Sequence, residues 1–188
     1  MVITVSDSAG IRCQAGEFSL LVDAPPKRKG NLILNTRVAL PIDTFVADGT
    51  IFGPGEYEIS GARVYGIGVP AESSAKEIKT IYGVELDGIK MAFLIDMASQ
   101  LEEDSIDNIG EVDILFFSAD SKKMKDKEII SLIKQIDPGI IIPATDEAAK
   151  MLVEEMGQKV KPEEKLTVKK GDFVKEDITN KLVWLKTE

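Results

Sequence analysis

Ile78-Lys79-Thr80-Ile81-Tyr82-Gly83-Val84-Glu85-Leu86 and Ile89-Lys90-Met91-Ala92-Phe93-Leu94-Ile95-Asp96 flank the dipeptide Asp87-Gly88. Two apolar runs around Asp-Gly predict a tight hairpin, because a two-residue turn with positive φ at both central positions suits this pair. Upstream the chain keeps the strand character. Val2 to Val5, Ile11 to Ala15, Phe18 to Asp23 and Leu32 to Asn35 are short apolar or alternating runs, and Glu56 to Ser60 joins Ala62 to Gly68 at Gly61. Downstream of Asp96 the period lengthens. Ser99 and Glu102 have capping-box spacing, which predicts a short helix with Leu101, Ile106 and Ile109 inward. Asp113 to Ser118 reads as a strand buried on both faces, and Lys125 to Ile136 as an amphipathic helix with Ile129, Ile130, Ile133 and Ile136 on one side. Ile140 to Pro143 is a further strand, Asp146 to Met156 a helix stopped by Gly157, and Leu166 to Val168 and Leu182 to Lys186 are closing strands. Strand-rich first half and helix–strand second half predict one layered α/β domain over residues 1–188.

Composition narrows the chemistry. Hydrophobic residues make up 44% and charged residues 29% of 188, which suits a globular chain rather than a disordered one. No apolar run reaches the roughly 20 residues needed to cross a bilayer, and residues 1–10 lack the pattern of a secretory signal, so a cytoplasmic location is expected. The chain has no histidine and one cysteine, Cys13, which falls in an alternating run and is expected to be a buried strand thiol. The formal charge of −9 disfavours phosphate backbones; the one basic cluster, Lys27, Arg28 and Lys29, sits between Pro26 and Gly30 and reads as a solvated loop, so no nucleic-acid partner is expected.

Other motifs dissolve on inspection. Ser73-x-x-Lys76 matches the serine–lysine pattern of serine β-lactamases, but Ser131-x-x-Lys134 matches it equally and neither has the companion motifs. A Ser–His–Asp triad is excluded for want of a base. Gly66-x-Gly68-x-x-Ala71 imitates a dinucleotide fingerprint, yet the next strand begins near Ile78, too soon for the helix such a site needs.

Phe52-Gly53-Pro54-Gly55-Glu56-Tyr57-Glu58-Ile59, with Leu20 to Pro25, Thr80 to Asp96, Ile109 to Leu115 and Ile136 to Pro143, resembles the metallo-β-lactamase fold, and within it the UlaG-like branch of zinc-dependent hydrolases. The resemblance covers nearly the whole chain. It implies a four-layer αββα sandwich with a metal site at one edge. It also implies that the family's His-x-His-x-Asp-His loop corresponds to residues 37–42, where Arg37, Ala39 and Ile42 stand for the histidines and Pro41 for the aspartate. The next histidine corresponds to Ala71 and the last to Thr145, and only the bridging aspartate is kept, as Asp96. A catalytic zinc site takes about three His, Cys or carboxylate ligands plus an open position for water. With this set the expectation is a pseudoenzyme: no catalytic residue, no cofactor, and a role in binding or assembly with a protein partner or a second copy. Asp96 reads either as a vestigial ligand or as a strand-end turn residue. Arg37 is expected to pair with Asp96 and fill the vacancy.

Two alternatives stay open. Asp43, Glu72 and Asp146 could join Asp96 in a rebuilt oxygen-ligand site for Mg²⁺ or Mn²⁺, giving a metal-dependent hydrolase. Alternatively the former cleft binds a small molecule in a pocket lined by Arg37, Thr145 and Tyr65.

Overall fold

The computed structural model describes residues 1–6, 10–25, 28–42, 48–175 and 178–187. The first half supplies β1 (Val2–Val5), β2 (Ile11–Ala15), β3 (Phe18–Val22), β4 (Leu32–Leu34), β5 (Arg37–Ala39), β6 (Thr50–Ile51), β7 (Gly55–Ile59), β8 (Ala62–Gly68), β9 (Glu77–Leu86) and β10 (Ile89–Met97). Then come α1 (Glu103–Ile109), β11 (Ile114–Ala119), α2 (Asp126–Ile136), β12 (Ile140–Pro143), α3 (Asp146–Met156), β13 (Leu166–Thr167), α4 (Lys170–Lys175) and β14 (Lys181–Leu182). None of these helices is long and apolar enough to cross a membrane.

Two mixed sheets pack face to face. One has the order β13-β1-β2-β3-β4-β6; the other runs β14-β12-β11-β10-β9-β8-β7, with β5 pairing β9 at the side. The hairpin of β9 and β10 has the expected register, Leu86 opposite Ile89, with Asp87 and Gly88 at φ of 55° and 71°. β10, β11 and β12 run parallel and are covered on both faces. Alternation then decides which core each residue enters. Ile114 and Phe116 face the other sheet, the Phe116 ring stacking at 4.6 Å on Phe93 of the neighbouring strand β10, while Leu115 and Phe117 face the helices. The helical cover is unequal: α1, α2 and α3 contribute to the outer core of the larger sheet, whereas α4 sends Phe173 toward the inter-sheet core.

Several local expectations need correction. Ser99 does not cap α1, which starts at Glu103 after Glu102; the Ser99 N–H and hydroxyl are drawn instead to Glu72. On α2 it is Leu132, not Ile130, that is fully buried with Ile129, Ile133 and Ile136. Residues 37–39 are a strand, not a loop, because β9 extends past the sheet to pair with them. β6 and α4, too short to show a period, were not anticipated. Thr145 caps α3, its Oγ1 accepting from the Ala148 N–H at 3.2 Å, and Gly157 closes it at φ 64°.

Candidate functional site

The edge that gathers Arg37, Glu72 and Asp96 is assembled by β5, β9, the end of β10 and the short 3₁₀ turn Pro70–Glu72. β5 is placed by its own flank. Asp23, just past β3 at φ 48°, accepts the Thr36 N–H on Oδ1 at 2.7 Å and the Thr36 hydroxyl on Oδ2 at 2.6 Å; the Thr36 carbonyl accepts from the Thr80 N–H at 2.9 Å. That clamp sets Arg37 opposite Lys79 on β9. Two cations directly opposed across a strand pair repel one another, so the arrangement needs carboxylates, and it has them.

Arg37 meets three. Its Nε donates to Asp96 Oδ2 at 2.9 Å, Nη1 to Glu77 Oε1 at 2.8 Å and Nη2 to Glu72 Oε2 at 2.8 Å; Nη2 also reaches the Asp96 carbonyl at 3.2 Å. The Glu72 side chain is 3% exposed, and its other oxygen, Oε1, accepts the N–H groups of Ala98 and Ser99 at 2.7 and 3.0 Å and the Ser99 hydroxyl at 3.0 Å. Asp96 occupies an irregularity of β10, where the register to β11 shifts and φ is 52°; its N–H is held by Ser118 Oγ at 2.8 Å. Asp is among the few residue types that adopt this conformation readily.

Behind Arg37 lies Lys79, with no exposed surface, its Nζ donating to the Ile95 carbonyl. Burial, reinforced by the Arg37 charge, pushes its pKa below the ordinary lysine value, against the attraction of Glu72, Asp23 and Asp96. Burial likewise raises the Asp23 carboxyl, although both Thr36 hydrogen bonds oppose the shift. Nearby Tyr82, buried and bonded to the Gly53 N–H and the Asn35 carbonyl, is raised to about 12, chiefly by burial. Lys79 was not singled out from the sequence. The signal was present: a lone cation inside the apolar run Ile78 to Val84 must either snorkel or find carboxylates.

The other positions picked from sequence scatter. The Arg37–Asp96 pair forms as expected, and Glu72 joins it. Ala39 ends β5 exposed, Pro41 follows a cis peptide at the surface, Ile42 is half-buried, Ala71 is exposed on the 3₁₀ turn, and none of these can supply a lone pair from its side chain. Thr145 spends its hydroxyl on the α3 cap. Asp146 accepts from Trp184 Nε1 at 3.0 Å, outside the Arg37 network, and Asp43 lies outside the described residues. Tyr65 does not share a pocket with Thr145: it stands exposed on β8 beside Gly83 and Met91, in a separate cavity of about 230 Å³. The Ser73 hydroxyl donates to the Val69 carbonyl and accepts the Lys79 N–H, a turn-closing role.

Next to Asp96, at the C-terminal ends of β10, β11 and β12, opens a cleft of about 480 Å³ lined by Asp96, Ser118, Asp120, Lys122, Thr145 and Glu147. It is polar. Open α/β sheets commonly bind ligands at this end of their parallel strands.

Comparison with known proteins fixes the family. The profile of the Beta-lactamase superfamily domain matches residues 27–145, more than half of the chain. The protein therefore belongs to the β-lactamase superfamily, and its sandwich is of the metallo-β-lactamase type. Among solved structures it is similar to a Thermotoga maritima protein assigned to the Zn-dependent hydrolases of the metallo-β-lactamase superfamily, at a TM-score of 0.71 and 17% identity over 100% of this chain and 99% of that one. It is also similar to the metallo hydrolase Igni18 of Ignicoccus hospitalis (TM-score 0.58, 11% identity, 89% and 99% covered). The metallo-β-lactamase fold protein YhfI of Bacillus subtilis gives a TM-score of 0.56 at 10% identity, with 99% and 96% covered. No curated protein sequence matches the chain.

The fold implies zinc, and the residues present do not fit it. Zinc prefers imidazole and thiolate donors with carboxylate support; the chain has no imidazole, and its single thiol, Cys13, is buried in the inter-sheet core. Burial pushes that thiol far above its ordinary pKa, the opposite of what a thiolate ligand needs. Glu72 and Asp96 already share a guanidinium, and among the described residues no group of three or more carboxylate or thiol side chains is placed to hold a metal ion.

Proposed function

We propose that this protein is a non-hydrolytic member of its superfamily that works by binding or assembly, using the cleft beside Asp96. One observation carries this: the carboxylates at the edge where the family does its chemistry are engaged by Arg37, through contacts of 2.8 to 2.9 Å to Glu72, Glu77 and Asp96. Metal-dependent hydrolysis needs a water made nucleophilic near neutral pH, by a metal or by a base of suitable pKa. Carboxylate oxygens taken up by guanidinium N–H groups are not free to bind a metal or a water, and the chain has no histidine to replace them. The cleft keeps its walls all the same. Asp96 is held by Arg37 and Asp120 stands 3.5 Å from Lys123, which leaves Glu147 and Lys122 as a charged pair of opposite sign on the walls, suited to a small polar ligand or to a polar side chain of a protein partner.

The test is turnover. Protein made without a histidine tag and supplied with Zn²⁺, Mn²⁺ or Mg²⁺ is expected to leave β-lactam, phosphodiester and thioester substrates at the buffer rate. Metal-dependent turnover that disappears in Asp96→Ala would establish an enzyme and overturn the proposal.

A further inference from the structure

We infer that Arg37 is the resident cation of this pocket: the edge that the superfamily gives to metal is here a guanidinium site, filled in cis, whose carboxylate shell holds its shape without the occupant. This rests on the non-metal character proposed above and goes further, naming the chemistry that the shell selects.

Two properties of the shell support it. The first is preorganisation. Glu72 is fixed by three donors on Oε1 that owe nothing to Arg37, leaving Oε2 aimed at Nη2. The Asp96 backbone is fixed by Ser118, and Glu77 by its place in β9 and its paired bonds to Ser74. The second is shape. Each of the three guanidinium nitrogens meets its own carboxylate oxygen, and the Asp96 carbonyl takes a further N–H. A planar five-donor fork matches such a ring of acceptors. A divalent ion instead requires its oxygens at about 2.0–2.6 Å from a single point. Acceptors spread around three different nitrogens are too dispersed for that without collapse, and the anchors on Glu72 resist collapse. Lys79, buried behind the site, is a cationic side chain that a dication would face and that the monovalent guanidinium already sits opposite in the β5–β9 pair.

The experiment removes the occupant and offers replacements. Arg37→Ala is melted alone, with ethylguanidinium, with Mn²⁺ and with Zn²⁺, beside wild type and the double variant Arg37→Ala/Glu72→Gln. Arg37→Ala is expected to melt well below wild type, and about 10 mM ethylguanidinium to restore about 3 °C or more by binding the folded state. Wild type and the double variant should not respond, and neither metal should raise the Arg37→Ala melting temperature. Should Arg37→Ala not accumulate as folded protein, Arg37→Gln, which keeps an amide donor, is read in the same way. A variant that melts like wild type, or one stabilised by Mn²⁺ or Zn²⁺ and not by ethylguanidinium, overturns the guanidinium site. Wild-type protein that remains metal-free and inactive under those outcomes leaves the non-hydrolytic proposal standing, so the two fail separately.

Discussion

Lys90 and Glu111 approach to 2.7 Å, closer than any pair that Arg37 makes, yet the two places are unlike in every respect that governs energy. Lys90 is 46% and Glu111 88% exposed, and the other carboxylates that act on Lys90, Asp113 and Glu85, do so from beyond ion-pair distance. Their mutual hydrogen bond raises the lysine pKa and lowers the glutamate pKa, but water and salt screen the pair, and two free side chains must be ordered to form it. At the Arg37 edge one acceptor is buried, another belongs to a backbone held in a left-handed conformation, and the second cation is fully enclosed. Distance alone therefore says little. What separates the two regions is whether loss of one partner strands the others away from water.

Substitutions can break or sharpen that contrast. Arg37→Ala should have the largest effect, a loss of about 3 kcal/mol in urea unfolding, because the buried Glu72 loses the guanidinium that pairs with its Oε2. Glu77→Gln removes a half-exposed acceptor of the same guanidinium and should cost about 1 kcal/mol or less. Lys90→Ala should not change the unfolding midpoint measurably. Equal losses in all three variants would erase the distinction.

Lys79 sharpens it through pH. Because its folded pKa is lowered, the folded protein sheds this proton more readily than the unfolded chain does. The penalty for burying the ammonium is thus complete below the folded pKa and fades as pH rises toward the unfolded value of about 10.4. Measured as wild type minus Lys79→Met, stability should rise with pH below that value and level off near it. A difference flat from about pH 7 to about pH 10 would mean that the lysine is not desolvated.

Much of this architecture was legible in the residues. The Asp87-Gly88 hairpin, the buried strands at Ile114 and Ile140 and the helices ended by Asp137 and Gly157 follow from period, turn chemistry and caps, all of which are local. The Arg37–Asp96 pair could be anticipated because two positions with a shared place in the family's pattern carry opposite charge. The rest was set by tertiary contacts between distant segments. Glu72 has an ordinary surface composition around it and becomes central only because Ala98 and Ser99 fold over it. For the same reason Ser99, whose spacing to Glu102 suits a helix cap, serves a carboxylate 27 residues away. Tyr65 failed as a pocket residue because strand parity turns it to the outer face of the larger sheet, beside Gly83 rather than toward Thr145.

On the reading proposed above, side-chain cations, and not a metal, neutralise the carboxylates of this edge. The most direct test of that reading is the metal content of tag-free wild-type protein after incubation with Zn²⁺, Mn²⁺ and Mg²⁺ followed by desalting, measured by mass spectrometry of the elements. Far less than one equivalent of any metal per chain is expected. One retained equivalent that is lost in Asp96→Ala or Glu72→Gln would contradict it.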